Sequence, residues 1–92
     1  MYVNISIITP NEGYERQTIE SMHRFSEAAR TQEGLTLVTT LRDGASGTLF
    51  GLAIWESEDA ARAASPVLMA AVQDDDFETW VADMQNHGLT EV

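Results

Sequence analysis

Apolar and polar positions alternate along "YVNISIITP", residues 2–10, so that Val3, Ile5 and Ile7 share one face and Asn4, Ser6 and Ile8 the other. Its β-branched content and the Pro10-Asn11 stop predict a first strand. From Glu12 or Gly13 to Arg30 the period becomes helical. Tyr14, Thr18, Met22, Phe25 and Ala29, flanked by Ile19 and Ser26, form a stripe at spacings of three and four. Arg16, Glu20, His23, Arg24, Glu27 and Arg30 make the solvated side, and Gly34 suits the stop. "LTLVTTLRD" and "TLFGLAIWE" read as second and third strands, and "DGASG" between them predicts a hairpin-like, antiparallel connection.

Ser57 is a good N-cap for the next helix, with Glu58 and Asp59 at its positive end. Ser65-Pro66 repeats that signal and predicts a restart after a bend. Asp74, Asp75 and Asp76 open a further helical segment in which Phe77, Trp80, Val81 and Met84 share a face, His87-Gly88 ends it, and "LTEV" is left as a short closing strand. The order is β-α-β-β-α-β, an α+β chain of ferredoxin-like arrangement, with an antiparallel sheet, helices on one face and a single domain over residues 1–92. The third strand is apolar on both sides: Leu49, Gly51, Ala53 and Trp55 against Phe50, Leu52 and Ile54. The domain's own helices can cover only one side, so a second copy laid on the other predicts a homodimer.

Composition removes several chemistries. No cysteine is present, which excludes disulfides, thiol catalysis and thiolate metal sites. The formal net charge is −10, with five basic residues, all arginine; without a basic cluster, phosphate backbones and anionic membranes are repelled. "VNISII" is too short and too polar for a signal peptide, and no apolar run could span a bilayer, so the expected location is cytoplasmic. There is no P-loop, dinucleotide fingerprint, metal-spaced histidine pair or nucleophile elbow.

The candidate chemistry is therefore sparse. Trp55 is large enough to be explained by packing alone, yet Gly51 and Ala53 on its face leave the sheet nearly bare beside the ring. Either a helix backbone packs close there or a pocket opens. Asn4 and Ser6 interrupt an apolar strand, so they satisfy local backbone, lie on a solvated edge or point into a polar cavity. Arg42 ends the second strand and could bind an anionic or enolate oxygen, although exposed strand-end arginines are common. His23, between Glu20 and Glu27, belongs to the solvated helix face; His87 reads as a helix C-terminus and "DDDFE" as ordinary N-terminal chemistry.

With these residues in view, "ARTQEGLTLVTTLRD", a glycine turn and "FGLAIWESEDAARAASP" together resemble the antibiotic biosynthesis monooxygenase family. The likeness extends over roughly residues 1–73 and is strongest over 28–66. It implies a dimeric α+β barrel that, in many members, oxygenates anthrones or reduced quinones with no metal, flavin or other cofactor. In the anthrone-oxygenase branch the tryptophan matching Trp55 lies against the substrate. That branch also carries an asparagine where this chain has Gly51 and a histidine where it has Leu41. A haem-degrading branch shares Asn4, but its tryptophan and histidine fall near Ala64 and Val72 here, so haem is not expected.

The resulting expectation is a pocket between sheet and helices. Trp55 is its aromatic wall, Gly51 and Ala53 its floor, and Met22 and Phe25 its helical lid. Asn4 orients a phenolic or enolate oxygen, with Arg42 as a further binding candidate. The expected partners are a second copy and a small aromatic ligand. Trp55 and Asn4 carry the chemistry if this is a cofactor-independent monooxygenase; the competing class is a non-catalytic ligand-binding or interaction module on the same barrel.

Overall fold

The computed structural model describes all residues, Met1–Val92. Strand β1 (Tyr2–Pro10) leads into helix α1 (Glu15–Arg30), then β2 (Leu35–Arg42) and β3 (Leu49–Trp55), helix α2 (Glu58–Val72), the short helix α3 (Phe77–Trp80) and β4 (Val81–Thr90). The four strands form one antiparallel sheet in the order β2-β3-β1-β4, which is the ferredoxin-like order expected from the chain.

Register assigns the two faces. Tyr2, Asn4, Ser6 and Ile8 stand opposite Trp55, Ala53, Gly51 and Leu49, and Val38 and Thr40 of β2 continue that row. This is the helix side, where Ile8, Val38, Leu49, Ala53 and Trp55 are all buried. Val3, Ile5, Ile7, Phe50, Leu52 and Ile54 form the other side, half-buried by one another with no helix over them. Leu37, Leu41 and Leu89 extend that apolar surface and are exposed.

The helix-side core falls into two clusters. Ala29, Val38, Ala53, Trp55, Ala61, Ala64 and Leu68 make one, and Ile8, Met22 and Leu49 the other. The alanines let α1 and α2 approach each other over the tryptophan ring. Gly34, at the turn after α1, has φ +90° and lies where a Cβ would sit 2.6 Å from Ala60 Cβ, so the turn needs glycine for both conformation and space. In the β2–β3 turn the Asp43 carboxylate accepts from Ala45 N at 2.9 Å and from Ser46 Oγ at 3.0 Å. The Ala45 amide, and after it the Ser46 hydroxyl, hold that carboxyl below the ordinary aspartate value.

Two expectations from the sequence are corrected. Glu58–Val72 forms one helix rather than two: Ser57 Oγ caps it by accepting from Ala60 N at 3.1 Å, and Pro66 lies inside it on the exposed side. A proline there removes a single N–H, and the carbonyl it leaves faces water rather than ending the helix. The closing segment is the larger correction. Only Phe77–Trp80 is helical, capped by Asp76, and the short strand expected at "LTEV" is instead the ten-residue strand Val81–Thr90. The open edge of β1 decides this, because pairing from Tyr2↔Thr90 to Pro10↔Val81 fills a row of backbone donors and acceptors that a helix would leave bare. Residues 83–88, with an aspartate, an asparagine and a glycine, offer a helix little in compensation.

Candidate active site

Between the sheet and the helices lies a cavity of about 510 Å³, lined by members of both core clusters: Ile8 and Met22 from one, Val38 and Ala53 from the other. A smaller cavity of about 270 Å³ adjoins it toward the start of α2. The two share Tyr2, Asn4, Phe25, Ala53 and Met69, so they form successive chambers of one cleft. Volumes of this order accommodate fused-ring aromatics.

Gly51 shapes the larger chamber. A Cβ there would meet Met22 Cε at 3.4 Å and Ser6 Cβ at 3.6 Å, ordinary contacts, so a longer side chain at this position would project into the space that glycine leaves open. Met22 and Phe25 on α1 roof it, and Ser21 and Ser26 add buried hydroxyls beside them. Both hydroxyls are already used. Ser26 Oγ donates to Met22 O at 3.0 Å, and Ser21 Oγ donates to Asp75 Oδ2 at 2.5 Å. Across the floor, Ser6 Oγ donates to Asn86 Oδ1 at 2.7 Å.

Asn4 differs from these. Its side chain takes no part in any hydrogen bond of the protein, and it stands where both chambers meet. No carboxylate or guanidinium lines the larger chamber, and His87, paired with Ile5, carries its imidazole on the opposite face of the sheet. The smaller chamber has the Arg62–Glu58 pair at its rim, 2.7 Å apart and exposed.

The residues singled out in the sequence are thus mostly brought together. Asn4, Met22, Phe25, Gly51 and Ala53 line the larger chamber. Trp55 lines only the smaller one, and at 1% exposure it is chiefly a core residue. Arg42 lines neither; its guanidinium pairs with Glu15 at 3.0 Å on the surface. Leu41 is on the opposite, uncovered face and 51% exposed. Asn86, Met84 and Gly88 were not visible as lining residues because their segment read as a helix, and no local alternation after Val81 marks the strand that brings them there. Asp75 and Asp76 are not paired on an ion. Asp75 binds Arg24 and Ser21, Asp76 caps α3, and no three His, Asp or Glu side chains gather as metal ligands would. No helix is long and apolar enough to cross a membrane.

No protein-family model and no curated protein sequence matches the chain. Solved structures do. SnoaB, a cofactor-independent oxygenase from Streptomyces nogalater, superimposes with a TM-score of 0.79 at 17% identity over 99% of this chain and 92% of its own. A provisionally named antibiotic biosynthesis monooxygenase from Deinococcus radiodurans gives 0.84 at 14% identity over 100% and 93%. Another, from Nitrosomonas europaea, gives 0.78 at 14% over 100% and 99%. At these identities the likeness is one of fold, and it spans nearly the whole of each molecule.

Proposed function

We propose that this chain, which has the fold of the antibiotic biosynthesis monooxygenases, is a cofactor-independent monooxygenase acting on an anthrone-, quinol- or polyketide-like aromatic substrate. One observation carries the reading: an apolar chamber of fused-ring size, free of carboxylates and guanidiniums, meets an amide at Asn4 that has no partner within the chain. A planar aromatic fills the chamber, displacing water from the methionine and phenylalanine roof. The Asn4 amide N–H donates to the substrate's phenolic or enolate oxygen, which favours the ionised form.

The ionised ring is the reductant. It passes an electron to molecular oxygen, the resulting pair closes a C–O bond at the activated carbon, and loss of water leaves a carbonyl. The balance is R₂CH₂ + O₂ → R₂C=O + H₂O, with the substrate oxidised, dioxygen reduced and no further electron donor needed. With no carboxylate lining the chamber, the departing proton passes to solvent at its open end, beside exposed Asn4. The uncovered sheet face belongs in the same proposal. Phe50, Leu52, Ile54, Val3, Ile5 and Ile7 are the face on which a second copy docks, giving a homodimer.

The second reading is a binding module without turnover, and Gly51 favours it. That position lines the chamber with hydrogen where the anthrone-oxygenase branch has an asparagine. Oxygen uptake by metal-stripped protein, measured against a panel of anthrones and reduced quinones, separates the two. Oxygenation predicts uptake above the spontaneous rate, lowered roughly ten- to hundredfold in Asn4→Leu with the circular dichroism spectrum unchanged. Tight binding of the same aromatics with no added uptake would make the chain a binding module.

A further inference from the structure

We infer that the Tyr2 hydroxyl is the second donor to the ligand oxygen, placed beside Asn4 by the absence of a side chain at Gly88; this rests on the aromatic-ligand reading above and names how that ligand is gripped. Tyr2 lines both chambers, as Asn4 does, and the two side chains stand on the same face of β1. The tyrosine does not stay over its own pairing partner, Thr90. Its ring crosses to the next helix-side position of β4, so that Oη lies over Gly88, where any Cβ would collide with it. Gly88 is the Cα partner of Asn4. Paired positions in an antiparallel sheet lie about 4.5–5.5 Å apart. The hydroxyl is thereby set down next to the amide, at the junction of the chambers.

Like Asn4, Tyr2 enters none of the protein's side-chain hydrogen bonds, and no buried side-chain polar atom of the chain lacks a partner, so its hydroxyl opens onto accessible space. Two neutral donors, an O–H and an N–H, converge from adjacent positions with no anion beside them in the larger chamber. That arrangement suits an oxyanion on a flat ring: a phenolate or enolate oxygen at the ligand's edge, held at the junction while the ring fills the apolar chamber. Gly88 is a specificity determinant in this scheme, since any larger residue would displace the hydroxyl. Tyr2 and Asn4 thus supply from β1 the donor that Gly51 does not.

Absorbance titration with two probes tests this. 2-Hydroxyanthraquinone reports its own ionisation by a shift to longer wavelength, and anthraquinone lacks the hydroxyl. In the wild-type protein the bound hydroxyanthraquinone should ionise at a lower pH than it does free. Tyr2→Phe should weaken phenolate binding roughly tenfold and raise the pH at which the bound probe ionises, leaving anthraquinone affinity unchanged. Gly88→Ala should reproduce the hydroxyl-specific loss; if it fails to fold, Tyr2→Phe decides alone. Wild-type affinity and ionisation in Tyr2→Phe would overturn the role of Tyr2 and leave the aromatic chamber standing. Failure of the wild-type protein to bind either probe would overturn both.

Discussion

Trp55 and Asn4 stand in opposite relations to the fold. The tryptophan, 1% exposed, is packed into one core cluster with Ala29, Val38, Ala53, Ala61, Ala64 and Leu68, and it also lines the smaller chamber. Trp55→Phe should therefore cost about 1–3 kcal/mol in a urea melt followed by circular dichroism. An unchanged midpoint would mean that the ring is not packed as described. Asn4, exposed and unbonded, should tolerate leucine with little change in stability, so the two substitutions separate folding from ligand chemistry. Asp43 shows a third relation, between charge and a turn. Its carboxyl is held below the ordinary value of 3.8, so the turn contact is complete above that value and is lost as pH falls through the lower, folded one. The Ala45 amide resonance should follow that titration in an NMR pH series, and Asp43→Asn should flatten it. An Ala45 shift that does not move in acid would show that the carboxylate does not hold the turn.

Elements near the C-terminus are tied down by one side chain. Asp75, whose carboxylate is 10% exposed, receives Ser21 Oγ and an Arg24 guanidinium N–H at 2.6 Å, pinning the turn after α2 to α1 beside the roof of the larger chamber. Asp75→Ala leaves the buried Ser21 hydroxyl without its acceptor and should destabilise the chain by about 1–3 kcal/mol, with faster amide exchange at residues 73–77. Asp74→Ala, one residue earlier and exposed, is the control and should do neither. This is also where the sequence was least legible. β1, α1, β2 and β3 are written in local alternation and helical stripes, and those elements fold within a few residues of where the pattern puts them. β4 is not, because Phe77, Trp80, Val81 and Met84 repeat at helical intervals and the strand exists only through the edge of β1. The site suffered accordingly: Asn4, Gly51, Ala53, Met22 and Phe25 could be read from their own elements, whereas Gly88 and Asn86 could not. Nor could the reach of Tyr2, which depends on what stands across the sheet.

As a whole the molecule is a sheet with helices on one side, 36 × 28 × 16 Å in extent. Its thin dimension leaves an apolar sheet face uncovered, on which Leu37 and Leu41 are about half exposed. If a second copy covers that face, the protein should sediment at twice its chain mass, and Leu52→Glu should reduce it to the monomer. A wild-type monomer at micromolar concentration would remove the dimer from the proposal. The chamber on the other side has a different consequence. In a chain of 92 residues, a cleft of about 510 Å³ open to solvent gains, when filled, apolar contacts that only the folded chain can offer. Occupancy and folding are therefore linked: a ligand present at a hundred times its dissociation constant would add about 2.7 kcal/mol to the unfolding free energy. For a domain this small that is a rise of about 10–20 degrees in melting temperature. Heat alone, with no assay of turnover, can search a library of aromatics for the molecule that belongs there.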